Sequence, residues 1–335
     1  MKLSISVIIP YYNVEPILLQ RAIKSVCSME ELVDWELLII DDGTYNSKAP
    51  QIINQLHHKK IRYYYQSNIG VAETRNKGIT LATKEYILFL DADDYLYTSP
   101  LMACINLLCK EKPDMLSFNH ECIENATFSD RPCKELPVTF CGTGCNYMTH
   151  HNIHGNPWHF FFKKEIANGL SFPTGIYHED EEFAAMIYLR PQKLIVTSAI
   201  VYAYYQRPGS RMHQSDRHQI EKHYTDFITV ISHLQDILPT LTTTERTALT
   251  RRIETLTSAL LFLLISTPLN KKFILTIIEI LRKKKLYPIP FRLYTWPYFI
   301  IYITSFKPFM LFLTRKIFHQ LQKNNFFKSI LEARK

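Results

Sequence analysis

Glycine is scarce, with only 9 in 335 residues, and no stretch has the Gly-rich spacing of a Walker or dinucleotide-binding loop. Kinase-like and dehydrogenase-like phosphate binding is therefore excluded, and any bound phosphate would need a metal or basic side chains. Long apolar runs are also missing. Two uncharged stretches in the C-terminal part, 255–270 and 293–306, hold 16 and 14 residues, short of the roughly 20 that a membrane-crossing helix needs. The seven cysteines (27, 104, 109, 122, 133, 141 and 145) are odd in number and follow no disulfide framework, and Met1–Pro10 leads into Tyr11-Tyr12-Asn13 without a small-residue cleavage site. A reducing cytosol is the expected compartment. Low-complexity tracts and repeats are absent too. With 47% hydrophobic and 21% charged residues the chain is globular, long enough for about two domains.

Positive charge is concentrated at one end. Residues 271–335 hold 14 Lys and Arg against Glu279 and Glu332, a net +12, which leaves −4 for residues 1–270. A nucleic-acid partner is not expected, because its binding stripe would lie on the folded module. An anionic membrane surface fits better, since each Lys or Arg near such a leaflet contributes about 1 kcal/mol. Phe309, Leu313, Ile317 and Leu321 recur at steps of four, with Arg315, Lys316, Gln322 and Lys323 elsewhere around the helix, and Trp296, Tyr298 and Tyr302 supply interfacial aromatics. The same spacing also suits a helix packed on a core.

Ser6-Val7-Ile8-Ile9, Leu37-Leu38-Ile39-Ile40 and Tyr86-Ile87-Leu88-Phe89-Leu90 are unbroken apolar runs that predict buried strands. Leu18, Ala22 and Val26 predict a helix after the first, and Gly70 opens another that runs to about Ala82. Alternating strands and helices of this kind imply a mostly parallel sheet flanked by helices, with ligands at the carboxyl ends of the strands. Residues beyond about 110 read as a looser, inserted half containing an acidic turn at His178–Glu182. Ile195–Val196 and Val201–Tyr205 read as two strands, and from about 217 the chain reads as helical.

Two of the apolar runs end in acid. Asp91, Asp93 and Asp94 crowd three carboxylates into four positions, where like charges raise one another's pKa unless a cation is present. Mg²⁺ or Mn²⁺, held by one or two carboxylates and a substrate diphosphate, would satisfy them, although a solvated Asp turn has the same composition. Asp41 and Asp42 could accept hydrogen bonds from a nucleoside base or ribose, or simply form an Asp-Asp-Gly turn. Arg75 sits near the inner face of its helix and needs an anion, for which Asp41 or a phosphate could serve. His150, His151, His154 and His159 with Cys141 and Cys145 match no familiar zinc spacing, so a polar acceptor-facing loop is preferred for the histidines.

Taken together, SVIIPYYN (6–13), LLIIDDGT (37–44), NIGVAETRNKG (68–78), FLDADD (89–94) and HEDEEF (178–183) resemble glycosyltransferase family 2, over roughly residues 3–212. They are most similar to the bacterial members that build capsule, exopolysaccharide or lipopolysaccharide. The resemblance implies the GT-A fold, a Rossmann-like sheet flanked by helices, here with a helical, basic, amphipathic C-terminal extension. It implies a nucleotide-sugar-binding half in 1–110 and an acceptor- and base-bearing half in 111–216; the tail lies outside it, and its charge and helical spacing predict a helical, membrane-associating region in 217–335. An inverting, Mn²⁺- or Mg²⁺-dependent hexosyl transfer is expected, from a nucleotide sugar (a UDP-sugar) to a hydroxyl of a lipid-linked or growing glycan, by an enzyme peripheral on the inner face of the cell membrane.

By the same resemblance, the donor would meet Pro10, Asn13, Asp41, Asp42, Asn68, Gly70, Arg75, Asp91, Ala92, Asp93 and Arg207. Asp93 would ligate the metal, with His213 as a further ligand, and Trp158 and Glu179 would face the acceptor. Asp180 would be the general base, a role typically contributing about 10²- to 10⁴-fold. Thr44 stands where Ser is commoner and Thr174 where many relatives carry Glu; neither removes a reacting group. Two other readings share these features. A nucleotidyltransferase would need a basic phosphate loop that 10–16 does not offer, and a non-catalytic sugar-nucleotide-binding protein would keep the fold without turnover.

Overall fold

Four strands of branched and aromatic residues make the first half of the sheet. In this computed structural model, which describes residues 2–29, 33–125, 127–133, 136–206 and 217–322, they are β1 (Ser4–Tyr11), β2 (Asp34–Asp42), β3 (Ile61–Gln66) and β4 (Tyr86–Phe89). They are mutually parallel, in the order β3-β2-β1-β4. Ile5, Val7, Ile8 and Ile9 of β1 and Leu37–Ile40 of β2 have no exposed surface, as a parallel sheet covered on both faces requires. Helices α1 (Pro16–Cys27), α2 (Ala49–Leu56) and α3 (Val71–Leu81) make the three crossovers. Helix α3 lies so close to the sheet that a Cβ on Gly78 would stand 2.4 Å from Ile8 Cγ2, so only glycine fits there.

Beyond residue 110 the expectation of an inserted, loosely patterned half is corrected. The elements β5 (Tyr95–Leu96), α4 (Thr98–Glu111), β6 (Met115–Ile123), β7 (Val138–Gly142), α5 (Gly144–His150), β8 (Phe160–Lys163), α6 (Glu179–Tyr188) and β9 (Leu194–Tyr205) extend the same sheet to nine strands. Strand β8 joins the halves, antiparallel to both β4 and β6, and its Phe160, Phe161 and Phe162 are wholly buried. The two short strands expected at 195–205 are one strand, β9, parallel to β6 and antiparallel to β5 and β7. The expected acidic turn is instead the first turn of α6, entered through His178 at φ 64°. Four consecutive acids suit that position, because the amino end of a helix carries partial positive charge.

The chain divides into two compact units, one of Met1–Tyr147 with Ile153–Gln214 and the other of Met148–Asn152 with Ser215–Lys335. The second contains α7 (Arg217–Ile237), α8 (Thr243–Ser266), α9 (Lys271–Lys283), α10 (Trp296–Ser305) and α11 (Pro308–Gln322). A capping box starts α8: Glu245 N–H donates to Thr242 Oγ1, and Thr242 N–H donates to Glu245 Oε2 at 2.9 Å. Buried Glu254 accepts from Arg292 Nε at 3.2 Å and from the Tyr294 hydroxyl at 2.5 Å. Trp296, Ile300 and Ile303 of α10, and Phe309, Leu313 and Ile317 of α11, are exposed. Among the described residues no helix is long and apolar enough to cross a membrane.

Candidate active site

Strand order reverses between β1 and β4, since the chain leaves β1 towards β2 on one side and returns to β4 on the other. Ligands of doubly wound sheets bind at the carboxyl ends of strands beside such a reversal. Three carboxylate-bearing segments meet this edge or its neighbourhood: Asp41–Asp42 at the end of β2, Asp91–Asp94 after β4, and Glu179–Asp180 at the start of α6.

Asp41 has no exposed surface, and its oxygens accept from Thr44 N–H at 2.8 Å and from the Tyr63 hydroxyl at 2.7 Å. The turn reading therefore fits Asp41, whose carboxylate is engaged within the protein by Thr44 and Tyr63. Asp42 accepts from Gln66 Nε2 at 2.9 Å, Ile69 N–H at 3.0 Å and Gly70 N–H at 2.9 Å. It therefore clamps the 68–70 loop, and since a carboxylate offers about four acceptor sites it keeps capacity for one more donor. Gly43, at φ 86°, lets this loop close, because a Cβ there would meet Asn68 N at 2.7 Å. Pro10 is half-buried near the end of β1, Asn13 and Asn68 are exposed, Gly70 precedes α3 and Ala92 is buried.

Buried Arg75 bridges two of the acidic segments. Its guanidinium lies 2.9 Å from Glu179 Oε1 and 3.5 Å from Asp91 Oδ1, so its anions are these and not Asp41. Burial alone would lower its pKa, but Asp91, Glu179 and Asp180 outweigh that and raise it. The Asp180 carboxyl is pushed up to about 7, by burial first and then by Glu179 and Glu181, with Arg75 and the Glu181 N–H opposing. A carboxylate tuned this way takes and releases protons near neutrality.

A family model described as "Glycosyl transferase family 2" matches residues 6–171. An uncharacterized glycosyltransferase of Haemophilus influenzae is 30% identical over 185 residues, covering 53% of this chain and 69% of the relative. The chain belongs to glycosyltransferase family 2. YibD of Escherichia coli, also an uncharacterized glycosyltransferase, is 25% identical over 255 residues, covering 69% of this chain and 71% of its own. Residues 1–349 of S. aureus TarS, crystallised with UDP-GlcNAc, superpose with a TM-score of 0.58 at 16% identity, covering 90% of this chain and 91% of that 1–349 segment. The family 2 glycosyltransferase thus has the GT-A fold, carrying additional C-terminal helices.

In this glycosyltransferase several residues expected at the ligands have partners within the protein. Trp158 is 4% exposed and packs nearly parallel on Tyr202, with ring centroids 4.1 Å apart. Expected to face the acceptor, Trp158 packs one face of its ring on Tyr202. His159 is likewise buried rather than facing an acceptor; it shares a 2.8 Å hydrogen bond with His120 and stacks on His154. Burial and the two neighbouring imidazoles hold its pKa well below the usual histidine range. Among the described residues no three His, Cys, Asp or Glu side chains are gathered to hold a metal. Arg207 and His213 lie outside the described residues.

Asp94, left without a role by the sequence, is fully buried and accepts from the Tyr202 hydroxyl and from Tyr205 N–H, each at 2.7 Å. Burial, then Asp93 and Asp91, raise its pKa well above the carboxylate range. Arg21, over the rings of Tyr95 and Tyr205, donates to the Asp93 carbonyl. Neither Tyr202 nor Arg21 has a local sequence signal. Only the pairing of β5 with β9 and the packing of α1 bring them here.

Proposed function

We propose that this glycosyltransferase moves a hexose from a UDP-sugar to a hydroxyl of a lipid-linked or growing glycan in surface-polysaccharide synthesis, inverting the anomeric centre with the help of Mn²⁺ or Mg²⁺. The observation that carries the reading is Asp180, poised near neutrality and sharing Arg75 with Asp91. The UDP-GlcNAc in the TarS crystals supports a uridine donor.

A divalent cation fits the residues present. Asp91, Asp93, Asp94, Glu179 and Asp180 stand near two guanidinium groups, Arg75 and Arg21, and the pKa values of Asp94 and Asp180, raised first by burial, are raised further by neighbouring carboxylates. Such ions are commonly held by one or two carboxylates plus substrate phosphates, so a protein cage of three side chains is not required. Asp93, beside Asp91, would hold the ion with the diphosphate. When bound, it supplies positive charge against the negative charge of the departing diphosphate.

Asp180 Oδ1 is engaged by Glu181 N–H, so Oδ2 takes the proton of the acceptor hydroxyl. The acceptor oxygen bonds to the anomeric carbon from the face opposite the phosphate, the carbon–phosphate-oxygen bond breaks, and its electrons leave with UDP. The proton stays on Asp180, and no acid is needed for a leaving group that is already a stable anion. Arg75 holds Asp91 and Glu179 in register across this step. Attachment to the inner face of an anionic membrane is part of the proposal, supported by the exposed apolar faces of α10 and α11 and by the basic 271–335 segment.

The test is transfer by the purified protein from a panel of nucleotide sugars with and without Mn²⁺. Asp93→Ala and Asp180→Ala are expected to retain the wild-type far-UV circular dichroism and to lose transfer. Normal turnover by Asp180→Ala would remove the base assignment, and donor binding without any turnover by the wild type would favour a non-catalytic binding protein.

A further inference from the structure

The Tyr202 hydroxyl, on β9, sits inside the acidic segment that follows β4. It accepts the Asp91 N–H at 3.1 Å and donates to Asp94 Oδ2 at 2.7 Å, while Tyr205 N–H holds Asp94 Oδ1. The segment is also closed on itself by Asp94 N–H to the Asp91 carbonyl at 3.1 Å, and it is gripped at the Asp93 carbonyl by Arg21. Its backbone is thereby held at Asp91, Asp93 and Asp94. Tyr202 supplies the contact at one end and, through Asp94, an anchor at the other. The ring itself is fixed, since it has no exposed surface and lies within 14° of parallel to Trp158.

A buried tyrosine hydroxyl needs partners, and phenylalanine would fill the same space without them. Strand pairing between β5 and β9 already joins these elements at Tyr95 and Leu96, so the hydroxyl is not needed merely to hold β9 in the sheet. What it adds is direction. A peptide plane pinned at the Asp91 N–H limits how the Asp91 and Asp93 carboxylates can turn, and half an ångström at a metal–diphosphate site is functionally significant.

We propose that Tyr202 is a positioning residue for the glycosyltransferase reaction: its hydroxyl sets the orientation of the Asp91–Asp93 carboxylates toward a metal-bound nucleoside diphosphate. The proposal rests on the metal-dependent reading given above. Trp158 is the plate that holds the Tyr202 ring in plane, which gives this tryptophan a role behind the site.

The experiment measures UDP-dependent Mn²⁺ binding directly, from loss of the free-Mn²⁺ electron paramagnetic resonance signal, in wild type, Tyr202→Phe and Tyr86→Phe. Tyr86 is the control: it too is fully buried, and its hydroxyl donates to the Pro113 carbonyl at 2.6 Å, remote in chemistry from the acidic segment. Tyr202→Phe is expected to need roughly tenfold more Mn²⁺ for half-saturation, the worth of about one buried hydrogen bond, whereas Tyr86→Phe matches wild type. In turnover, the Mn²⁺ midpoint should shift by the same factor. If both variants bind Mn²⁺–UDP as wild type does, whatever their melting temperatures, the hydroxyl is packing and the proposal is overturned. Should wild type bind no Mn²⁺ with UDP, the metal-dependent reading itself fails, a separate outcome. If Tyr202→Phe does not fold, Trp158→Phe replaces it, with a smaller shift in the same direction expected and an unchanged midpoint overturning the proposal.

Discussion

In the sheet-bearing unit, Asp41, Asp42, Arg75, Asp94 and Glu179 are all buried and all bonded within the unit, while the helical unit leaves Trp296 78% and Phe309 72% exposed. Both units bury charge, Glu254 of the helical unit included, but only in the sheet-bearing unit do buried acids of three separate segments gather near one strand edge, which marks where geometry matters more than stability. Leaving large apolar side chains in water is unfavourable too, and contiguous patches of them mark surfaces that meet something else. Chemistry is proposed for the first unit and attachment for the second, and each proposal can be broken separately.

The largest effect is expected at Asp180. Asp180→Asn should lower transfer about 10²- to 10⁴-fold, the range of a lost general base, measured as initial rates with saturating donor. Wild-type activity should rise with pH through about 7, as Asp180 ionises. The stability effect has the opposite sign. A carboxyl raised from 3.8 to about 7 favours the protonated folded state, so the stability it contributes is present below about pH 4 and is lost as pH rises through 7. Above that pH, Asp180→Asn should melt higher than wild type, by about 1–3 kcal/mol in urea titrations. Equal stability of the two at pH 8 would show that the carboxylate is not strained.

Arg75→Met comes next. Removing the guanidinium leaves Glu179 and Asp91 without their partner, at a cost of about 3–5 kcal/mol in unfolding free energy. Arg75 also opposes the rise in the Asp180 pKa, so whatever activity survives should titrate at higher pH than wild type. A smaller loss is expected in the helical unit, where Glu254→Gln weakens the bonds from Arg292 and Tyr294. About 1–3 kcal/mol, read from thermal unfolding with transfer activity unchanged, would show that this buried charge serves structure alone.

How much of this was legible depended on burial pattern. Strands β1, β2 and β4 are covered on both faces and read as unbroken apolar runs. Edge strand β3 begins Ile61-Arg62-Tyr63, and the second half of β6 contains Asn119-His120-Glu121, so their polar residues masked the period. The acids at strand ends were visible as composition, but which of them stays available to a ligand was not. Asp41 and Asp42 are adjacent, yet Tyr63 and Thr44 cover one while the other clamps a loop. Arg75 was recognisable as a buried cation, whereas its partner Glu179 lies 104 residues away and is brought there only by α6 packing near α3. Tyr202 and Trp158 are similarly non-local: aromatic residues give no sequence sign of whether they face a sugar or each other.

The smallest effect on stability, and the sharpest contrast with the buried acids, is expected on the exposed face of α11. Phe309 and Leu313 are one helical turn apart and both stand in solvent, so Phe309→Ser with Leu313→Ser should change unfolding free energy by no more than about 0.5 kcal/mol per site. The same double variant should lose sedimentation with vesicles containing anionic lipid, because insertion of apolar side chains and attraction by Lys and Arg act together and neither alone holds a protein firmly. Raising salt should weaken wild-type sedimentation through the charge contribution, while the variant at low salt isolates the apolar one. If vesicle binding survives the double substitution and vanishes only in salt, attachment is electrostatic and the exposed stripe serves another partner. If stability instead drops by several kcal/mol, the stripe is packed in solution, and the contrast between the two units dissolves.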